Sequence, residues 1–310
     1  MMVSINKRSR KAMIEKGAIV HFTGNIWRPP YEAQSALIQV TSGCTHNRCR
    51  FCSLYDSPFR MSPMDEIEAD LQELARYSGA VRRVFFTGAN PFGVSNKRLV
   101  PILKRVKEVL RHVETIGGFV RIGDLKHKSD ADLEELAALG VDNLTIGVES
   151  GYDPALSFMD KGHAAADIVE QCTRLDAAGI HYTFFYLTGI AGKDKGVEAA
   201  RASAEVFNQV HPIMVGILSM TIFPESKLFQ DIKEGLFIPA SETESLYEIR
   251  ELIASLTCET FVSTAHVSDA VHVFGALPQE RKRLLDAVDA AIARADESRL
   301  RQYRQSIWSL

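Results

Sequence analysis

Long apolar runs are missing from this chain of 310 residues: no stretch approaches the roughly 18 residues of a membrane-spanning helix, and the mean hydropathy is -0.05. An excess of one charge is missing too. Thirty-six basic residues stand against 39 acidic ones, a formal net charge of -3, so no general electrostatic footprint for nucleic acid is present. Cysteine is sparse and odd in number, five in all, which excludes the framework of a disulfide-stapled miniprotein. No low-complexity segment and no Gly/Ser/Pro-rich linker breaks the chain. A basic start, Lys7, Arg8, Arg10 and Lys11, imitates a signal peptide. The apolar Gly17-Ala18-Ile19-Val20 that follows is broken at once by His21 and Thr23, so the expected location is the cytoplasm.

What the sequence has is rhythm. Apolar strand-like runs at 36–40, 83–87, 119–122, 144–148, 182–187 and 214–222 alternate with amphipathic stretches. Ser62 is placed as an N-cap, with Pro63 in the first turn and Asp65 able to reach back; Met64, Ile67, Leu71 and Leu74 follow at helical spacing. Further helices are expected at 99–113, 129–140, 164–178 and 197–210, with Ser129 and Asp132 as a capping pair and Gly140 and Gly179 as stops. Strands joined by helices call for a parallel sheet with right-handed crossovers. Six such units give the expected fold class: α/β, a partial (β/α)6 barrel with its active site at the C-terminal strand ends. After Pro224 the rhythm fades into a helix at 241–256, an edge strand around Thr260 and a charged helix at 278–295. The expected organisation is an N-terminal extension (1–35), the barrel core (36–235) and a mainly helical extension packed on it (236–310). Arg281-Lys282-Arg283 reads as a solvated helix face.

The first strand runs into Cys44-Thr45-His46-Asn47-Arg48-Cys49-Arg50-Phe51-Cys52. Three soft thiolates on one loop can hold three corners of a [4Fe–4S] cube and leave one iron open. Two alternatives stand beside this reading: a structural zinc site with His46 as fourth ligand, at cramped spacing, and an electron-transfer cluster with a fourth cysteine. Cys172 shares an apolar helix face with Ile168 and Leu175 and reads as a core residue; Cys258 sits in a segment of uncertain register.

The loop, together with Arg28-Pro29-Pro30-Tyr31-Glu32-Ala33, Phe59-Arg60-Met61-Ser62, Ile146-Gly147-Val148-Glu149-Ser150-Gly151, Met159-Asp160-Lys161-Gly162 and Leu277-Pro278, resembles the radical S-adenosylmethionine (radical SAM) superfamily. The likeness is to a group similar to the barrel of oxygen-independent coproporphyrinogen oxidase, and it covers nearly the whole chain. Four residues separate Cys44 from Cys49, one more than in the superfamily's commonest loop. The resemblance implies a [4Fe–4S] cluster on Cys44, Cys49 and Cys52 and SAM on its open iron. It places Phe51 near the adenine and likens Gly88-Ala89-Asn90-Pro91 to the Gly-Gly-Glu-Pro turn that receives the methionine amino group. Here Ala89 and Asn90 depart from that pattern. Glu149, with Ser150 behind it, stands where the ribose hydroxyls are held. Lys161 stands where a basic residue pairs with the methionine carboxylate, and Arg121 is a second basic candidate. Ile222 and Pro224 lie where the backbone meets adenine.

The resemblance therefore implies an oxygen-sensitive enzyme that reductively cleaves SAM and abstracts hydrogen through a 5′-deoxyadenosyl radical. Without a second cysteine-rich cluster or a basic appended domain, a small-molecule substrate is favoured over RNA. A one-electron donor such as flavodoxin or ferredoxin is the expected partner. A tetrapyrrole-modifying enzyme and a non-catalytic iron–sulfur or zinc protein are the competing readings. The segment 263–269, with His272, is polar enough to line a substrate pocket or to be a surface loop.

Overall fold

The structure, a computed structural model, describes residues 21–55, 57–77 and 81–307; the basic run at 7–11 and the segment 17–20 lie outside them. The described residues divide into two compact units, one formed by 21–47, 54–145 and 177–180, the other by 48–53, 146–176 and 181–307.

In the first unit, β1 (Ala36–Gln39) leads into a short antiparallel pair, β2 (Thr41–Ser42) and β3 (Arg60–Met61). Two further strands, β4 (Arg83–Thr87) and β5 (Thr115–Val120), pair in parallel, with β4 between β1 and β5. Val84 to Thr87 are all buried, the unbroken pattern of a parallel strand covered on both faces. Strand β5 lies earlier than the expected 119–122. Its start is hidden in sequence by Gly117 and Gly118, which are small because neighbours occupy their side-chain space. A Cβ on Gly117 would lie 2.1 Å from Arg83 Nη2, and one on Gly118 would lie 2.7 Å from the Phe92 ring. Arg83 reaches across to pair with the buried Glu32 at 2.6 Å and also donates to Thr115 Oγ1 and the carbonyls of Asp142 and Asn143. Such a buried pair holds because every group in it is satisfied.

The helices of this unit are α1 (Met64–Tyr77), α2 (Asn96–Val109), the single turn α3 (Ile122–Leu125) and α4 (Asp130–Ala138). Helix α2 starts before the expected residue 99 because Asn96-Lys97-Arg98 carries no apolar residue to open the period. The capping box of α4 forms: Asp132 N–H donates to Ser129 Oγ at 3.1 Å, and Ser129 N–H donates back to Asp132 Oδ2 at 2.8 Å. Asp65 makes a different bond from the one expected, accepting from Glu66 N–H at 3.0 Å.

The second unit takes up the chain within β6 (Leu144–Glu149) and continues with β7 (Tyr182–Thr188), β8 (Met214–Ser219), β9 (Thr260–Ser263) and β10 (Phe274–Leu277). Strands β7, β8 and β9 are parallel, and β10 closes the row antiparallel to β9. The strand at Thr260 is therefore internal, and the edge is β10. That edge is blunted by its own chain: Ala276 N–H donates to Glu280 Oε2 at 2.8 Å, and Arg283 Nη2 donates to the Phe274 carbonyl at 2.6 Å.

Helices α5 (Asp153–Phe158), α6 (Ala165–Ala177), α7 (Gly196–Phe207), α8 (Lys227–Lys233), α9 (Glu242–Ser255), α10 (Arg281–Ala293) and α11 (Glu297–Ser306) complete the mainly helical C-terminal part. Helix α9 packs on α7 and α10. It drives Glu248 into full burial, where the carboxylate accepts from Tyr186 Oη at 2.6 Å and Gly189 N–H at 2.8 Å. Helix α11 was not expected, since it buries no residue that would mark it; Glu297 at its start accepts from the N–H groups of Glu242 and Thr243 that open α9. Lys282 and Arg283 lie on a solvated face, but Arg281 turns inward to the carbonyls of Ala254 and Leu256 at the end of α9. Among the described residues no helix is long and apolar enough to cross a membrane.

Candidate functional site

In the first unit, Gly88 follows β4 with φ +115°, and a Cβ there would lie 2.1 Å from the Thr41 carbonyl oxygen, so the turn needs glycine. Beside it Thr41 Oγ1 is buried and has no hydrogen-bond partner among the described residues. The Gly88 carbonyl accepts from Tyr55 Oη at 3.2 Å, and Ala89 is half-buried. Asn90 is fully buried. Its Nδ2 donates to Thr45 Oγ1 at 2.5 Å and to Asp124 Oδ2 at 2.6 Å, while its Oδ1 is 3.4 Å from Thr45 N. Asp124 Oδ1 is 3.3 Å from Thr45 Oγ1 and 3.5 Å from Arg121 Nη1. Arg121 thus turns toward a carboxylate of its own helical turn. Cys44 is half-buried immediately before Thr45. Sequence reading missed Asp124; the amide at position 90, where an acid was expected, was the signal to look for an acid nearby.

In the second unit, Cys49 and Cys52 belong to one tight turn, closed by Cys52 N–H donating to the Cys49 carbonyl at 3.1 Å. Arg50 fastens that turn. Its N–H donates to the Met159 carbonyl at 3.0 Å, its carbonyl accepts from Leu228 N–H at 2.7 Å, and its Nη1 reaches both Asp231 oxygens at 2.9 Å. The guanidinium carbon lies 5.1 Å from the Phe158 ring centroid. Neither Arg50 nor Asp231 was singled out from sequence, because partners 181 residues apart leave no local pattern.

Strand β6 delivers Glu149 with φ +64°, a backbone conformation that re-aims its side chain. Lys161 Nζ donates to Glu149 Oε1 at 3.0 Å and lies 5.8 Å from the Phe51 ring centroid. Both members of this pair are nearly buried, at 7% and 14% side-chain exposure. Gly147 keeps the space open, since a Cβ there would lie 2.5 Å from Glu149 Oε1. Phe51 and Ile222 pack against the same apolar cluster of Ala155, Met159, Ile190, Leu228 and Phe237. Ser150 does not join them. Its hydroxyl is 3.1 Å from Ser203 Oγ and accepts from Tyr152 N–H, which fixes the chain to α7.

The segment after β9 is a packed loop rather than a surface one. Ser219, at the end of β8, donates its hydroxyl to Asp269 Oδ1 at 3.0 Å and its N–H to Ser268 Oγ at 3.1 Å. Burial holds the His266 imidazole neutral, its pKa brought down to about 4, and pushes the Asp269 carboxyl up to about 7. His272 is exposed.

No disulfide joins the five cysteines. Among the described residues no three His, Cys, Asp or Glu side chains are gathered as a ready-made metal site. The donor set nevertheless fits a soft cluster: Cys44, Cys49 and Cys52 are thiols with partial solvent access on a short loop. Cys172 does not fit, because complete burial raises its thiol pKa and makes a thiolate costly. Cys258 is half-buried and its thiol is likewise raised.

Residues 38–201 match the radical SAM superfamily. The chain is 22% identical over 226 residues to the heme chaperone HemW of Bacillus subtilis, which covers 70% of this chain and 58% of that protein. It is 23% identical over 119 residues to tRNA uridine(34) acetyltransferase of Methanocaldococcus jannaschii, covering 38% of this chain and 22% of that protein. The chain thus spans less than two thirds of either curated relative. Among solved structures, coproporphyrinogen III oxidase (HemN) from Escherichia coli superposes with a TM-score of 0.54 at 14% identity, covering 71% of this chain and 51% of that one. At that identity the likeness shows a shared fold.

Proposed function

The chain belongs to the radical SAM superfamily, whose match spans more than half of it, and from that premise we propose that it abstracts a hydrogen atom from a small-molecule substrate. Enzymes of this superfamily work with a [4Fe–4S] cluster and SAM, which when bound supply one-electron cleavage and a carbon radical strong enough for unactivated C–H bonds. The observation that carries the reading is the three-thiol loop that follows β2, inside the matched region.

On this reading Cys44, Cys49 and Cys52 hold the cluster. Arg50 keeps the turn of the last two thiols against α8. By the family likeness, Phe51 and Ile222, which share one apolar cluster, are assigned to the adenine, and the Gly88 and Ala89 carbonyls are assigned to the amino end of the cofactor. Glu149 and Lys161 neutralise each other at 3.0 Å, which stabilises both nearly buried charges. The same pair offers the cofactor an acceptor for ribose hydroxyls and a cation for its carboxylate. A one-electron donor of the flavodoxin or ferredoxin kind, in a cytoplasmic setting, is the proposed partner. The HemW relative, matched over 70% of the chain, favours a tetrapyrrole as the second reading.

The test follows the hydrogen. Reconstituted enzyme is incubated with SAM, a reductant and fractions of a deuterated cell extract, and deuterium in 5′-deoxyadenosine is measured by mass spectrometry. Label is expected from the low-molecular-weight fraction. Label from the RNA or protein fraction alone would contradict the small-molecule reading, and label from added deuterated coproporphyrinogen would establish the second one.

A further inference from the structure

The strands of the second unit present two unlike faces. Tyr186 on β7 donates to Glu248 on α9 at 2.6 Å, and the Phe184 and Tyr186 rings meet Phe207 on α7 with centroids 5.0 and 6.3 Å apart. These side chains therefore point at the helices. Register carries that face across the sheet: Phe184 pairs with Val215, Tyr186 with Ile217 and Val215 with Val262, all of them buried. Side chains alternate along a strand, so Phe185 and Leu187 point the other way. On this second face Leu187 pairs with Leu218, Phe185 with Gly216, Gly216 with Ser263 and Ser263 with Phe274.

The second face is not sealed. Leu187 and Leu218 are half-buried, while Phe261 and Phe274 are 46% and 57% exposed and stack with centroids 5.6 Å apart. Gly216 lets the Phe185 ring lie close over it, since a Cβ there would come within 3.1 Å of that ring. No residue of β7, β8, β9 or β10 carries an acidic, basic or imidazole side chain. A parallel sheet is ordinarily covered on both faces, and large aromatics exposed side by side mark a surface that receives something. The face also begins at the candidate site. Leu187 and Met220, one residue past β8, pack against the same apolar cluster as Phe51 and Ile222. From β7 it runs to β10 across three strand spacings, about 14 Å.

We propose that this face binds the substrate, and that the substrate is a small molecule with an uncharged apolar body of the ring or isoprenoid kind. The proposal rests on the reading of the chain as a hydrogen-abstracting enzyme and names the class of molecule which that reading leaves open. A charged group laid on these strands would lose its hydration and meet no counter-charge from them. An apolar body gains by every part of Leu218, Phe261 and Phe274 that it takes out of water. Continuity with the cluster that holds Phe51 and Ile222 favours this occupant over a second copy of the chain.

Binding is read first without turnover, in protein whose cluster has been reconstituted. A neutral planar probe, 1-aminoanthracene, and its anionic counterpart, anthracene-1-sulfonate, are titrated by fluorescence, with the melting temperature of each variant measured alongside. The neutral probe is expected to bind about tenfold more tightly than the anion, or better. Leu218→Asn, which keeps the volume and removes apolar surface, should lower its affinity about tenfold. Phe274→Ser, at a position exposed enough to spare the fold, should lower it as well. Equal binding of the two probes, or wild-type affinity in both variants, would overturn the assignment. A dimer that dissociates in F274S would give the face to a second copy and overturn it too. The molecule is then sought by giving the reduced enzyme SAM and a deuterated cell extract partitioned between chloroform and water. Deuterium in 5′-deoxyadenosine is expected from the chloroform phase. Label from the aqueous phase alone, or 5′-deoxyadenosine without label from either phase, would overturn the substrate class. If no 5′-deoxyadenosine forms at all, the functional reading itself falls, and the substrate assignment with it.

Discussion

Arg50 ties the turn that carries Cys49 and Cys52 to Asp231 on α8, so Asp231→Ala should loosen it. Asp231 is 5% exposed on α8, and Arg50 is 27% exposed above it. Breaking a fully buried ion pair costs about 3–5 kcal/mol, because a desolvated charge is stranded. The partial exposure of Arg50 lets water take over some of its hydration, which lowers the expected cost to about 1–3 kcal/mol. The backbone bonds of Arg50 to Met159 and Leu228 survive the substitution, so the fold is retained and the loss falls on local opening of the turn. Since about 1.4 kcal/mol is a factor of ten, turn opening should become about fivefold to a hundredfold more frequent. The assay is the rate of iron loss from the reconstituted protein to an excess of chelator under anaerobic conditions, with the melting temperature of the metal-free protein measured alongside. Asp231→Asn, which keeps an acceptor for Arg50, should fall between wild type and Asp231→Ala. A lowered melting temperature with iron loss at the wild-type rate would refute the reasoning and reduce the pair to a packing contact.

Three further outcomes are expected. Burial raises the Glu248 carboxyl pKa from 4.5 to about 7, so the folded state holds a proton that the unfolded chain releases. The stability this contributes is present below the unfolded value and is lost as pH rises through about 7. Glu248→Gln should therefore gain on wild type between pH 5 and 8, by up to roughly 3 kcal/mol at about 1.4 kcal/mol per pKa unit; parallel denaturation curves for the two proteins across that range would contradict it. Cys172→Ala should keep the cluster's visible absorbance at a stability cost of roughly 1 kcal/mol, and loss of absorbance in a folded variant would make Cys172 a ligand. Lys161→Met should weaken SAM binding about tenfold or more with iron content unchanged, because Glu149 is left unpaired and the cofactor carboxylate loses its cation; wild-type affinity by equilibrium dialysis would remove Lys161 from the site.

The alternation of strands and helices was legible because parallel strands buried on both faces read as apolar runs, and because caps such as Ser129 with Asp132 act over three residues. Ser241 with Glu244 repeats that box at the start of α9. What failed to show was whatever depends on distant partners. Gly117 and Gly118 look like strand breakers until Arg83 and Phe92 are seen filling their space. Thr260 reads as an edge because nothing local reveals that β10 pairs beyond it. At the candidate site the structure brings Glu149, Lys161 and Phe51 together, and their ion pair and ring contact are tertiary facts that the family resemblance alone did not supply. Ser150 looked like part of the site because it follows Glu149, but backbone direction turns its hydroxyl to Ser203. Asp124 was invisible for the opposite reason: nothing near it in sequence marks it, and only Asn90, far along the chain, explains its place.

The most direct test of the central claim, that Cys44, Cys49 and Cys52 hold a cluster able to reduce SAM, is product formation without any substrate. Anaerobically reconstituted protein is reduced, given SAM, and assayed for 5′-deoxyadenosine and methionine, with iron and sulfide determined on the same sample. The account predicts about four irons and as many sulfides per chain, formation of 5′-deoxyadenosine, and loss of both in Cys49→Ala. One tightly held zinc, no sulfide and no 5′-deoxyadenosine would contradict it.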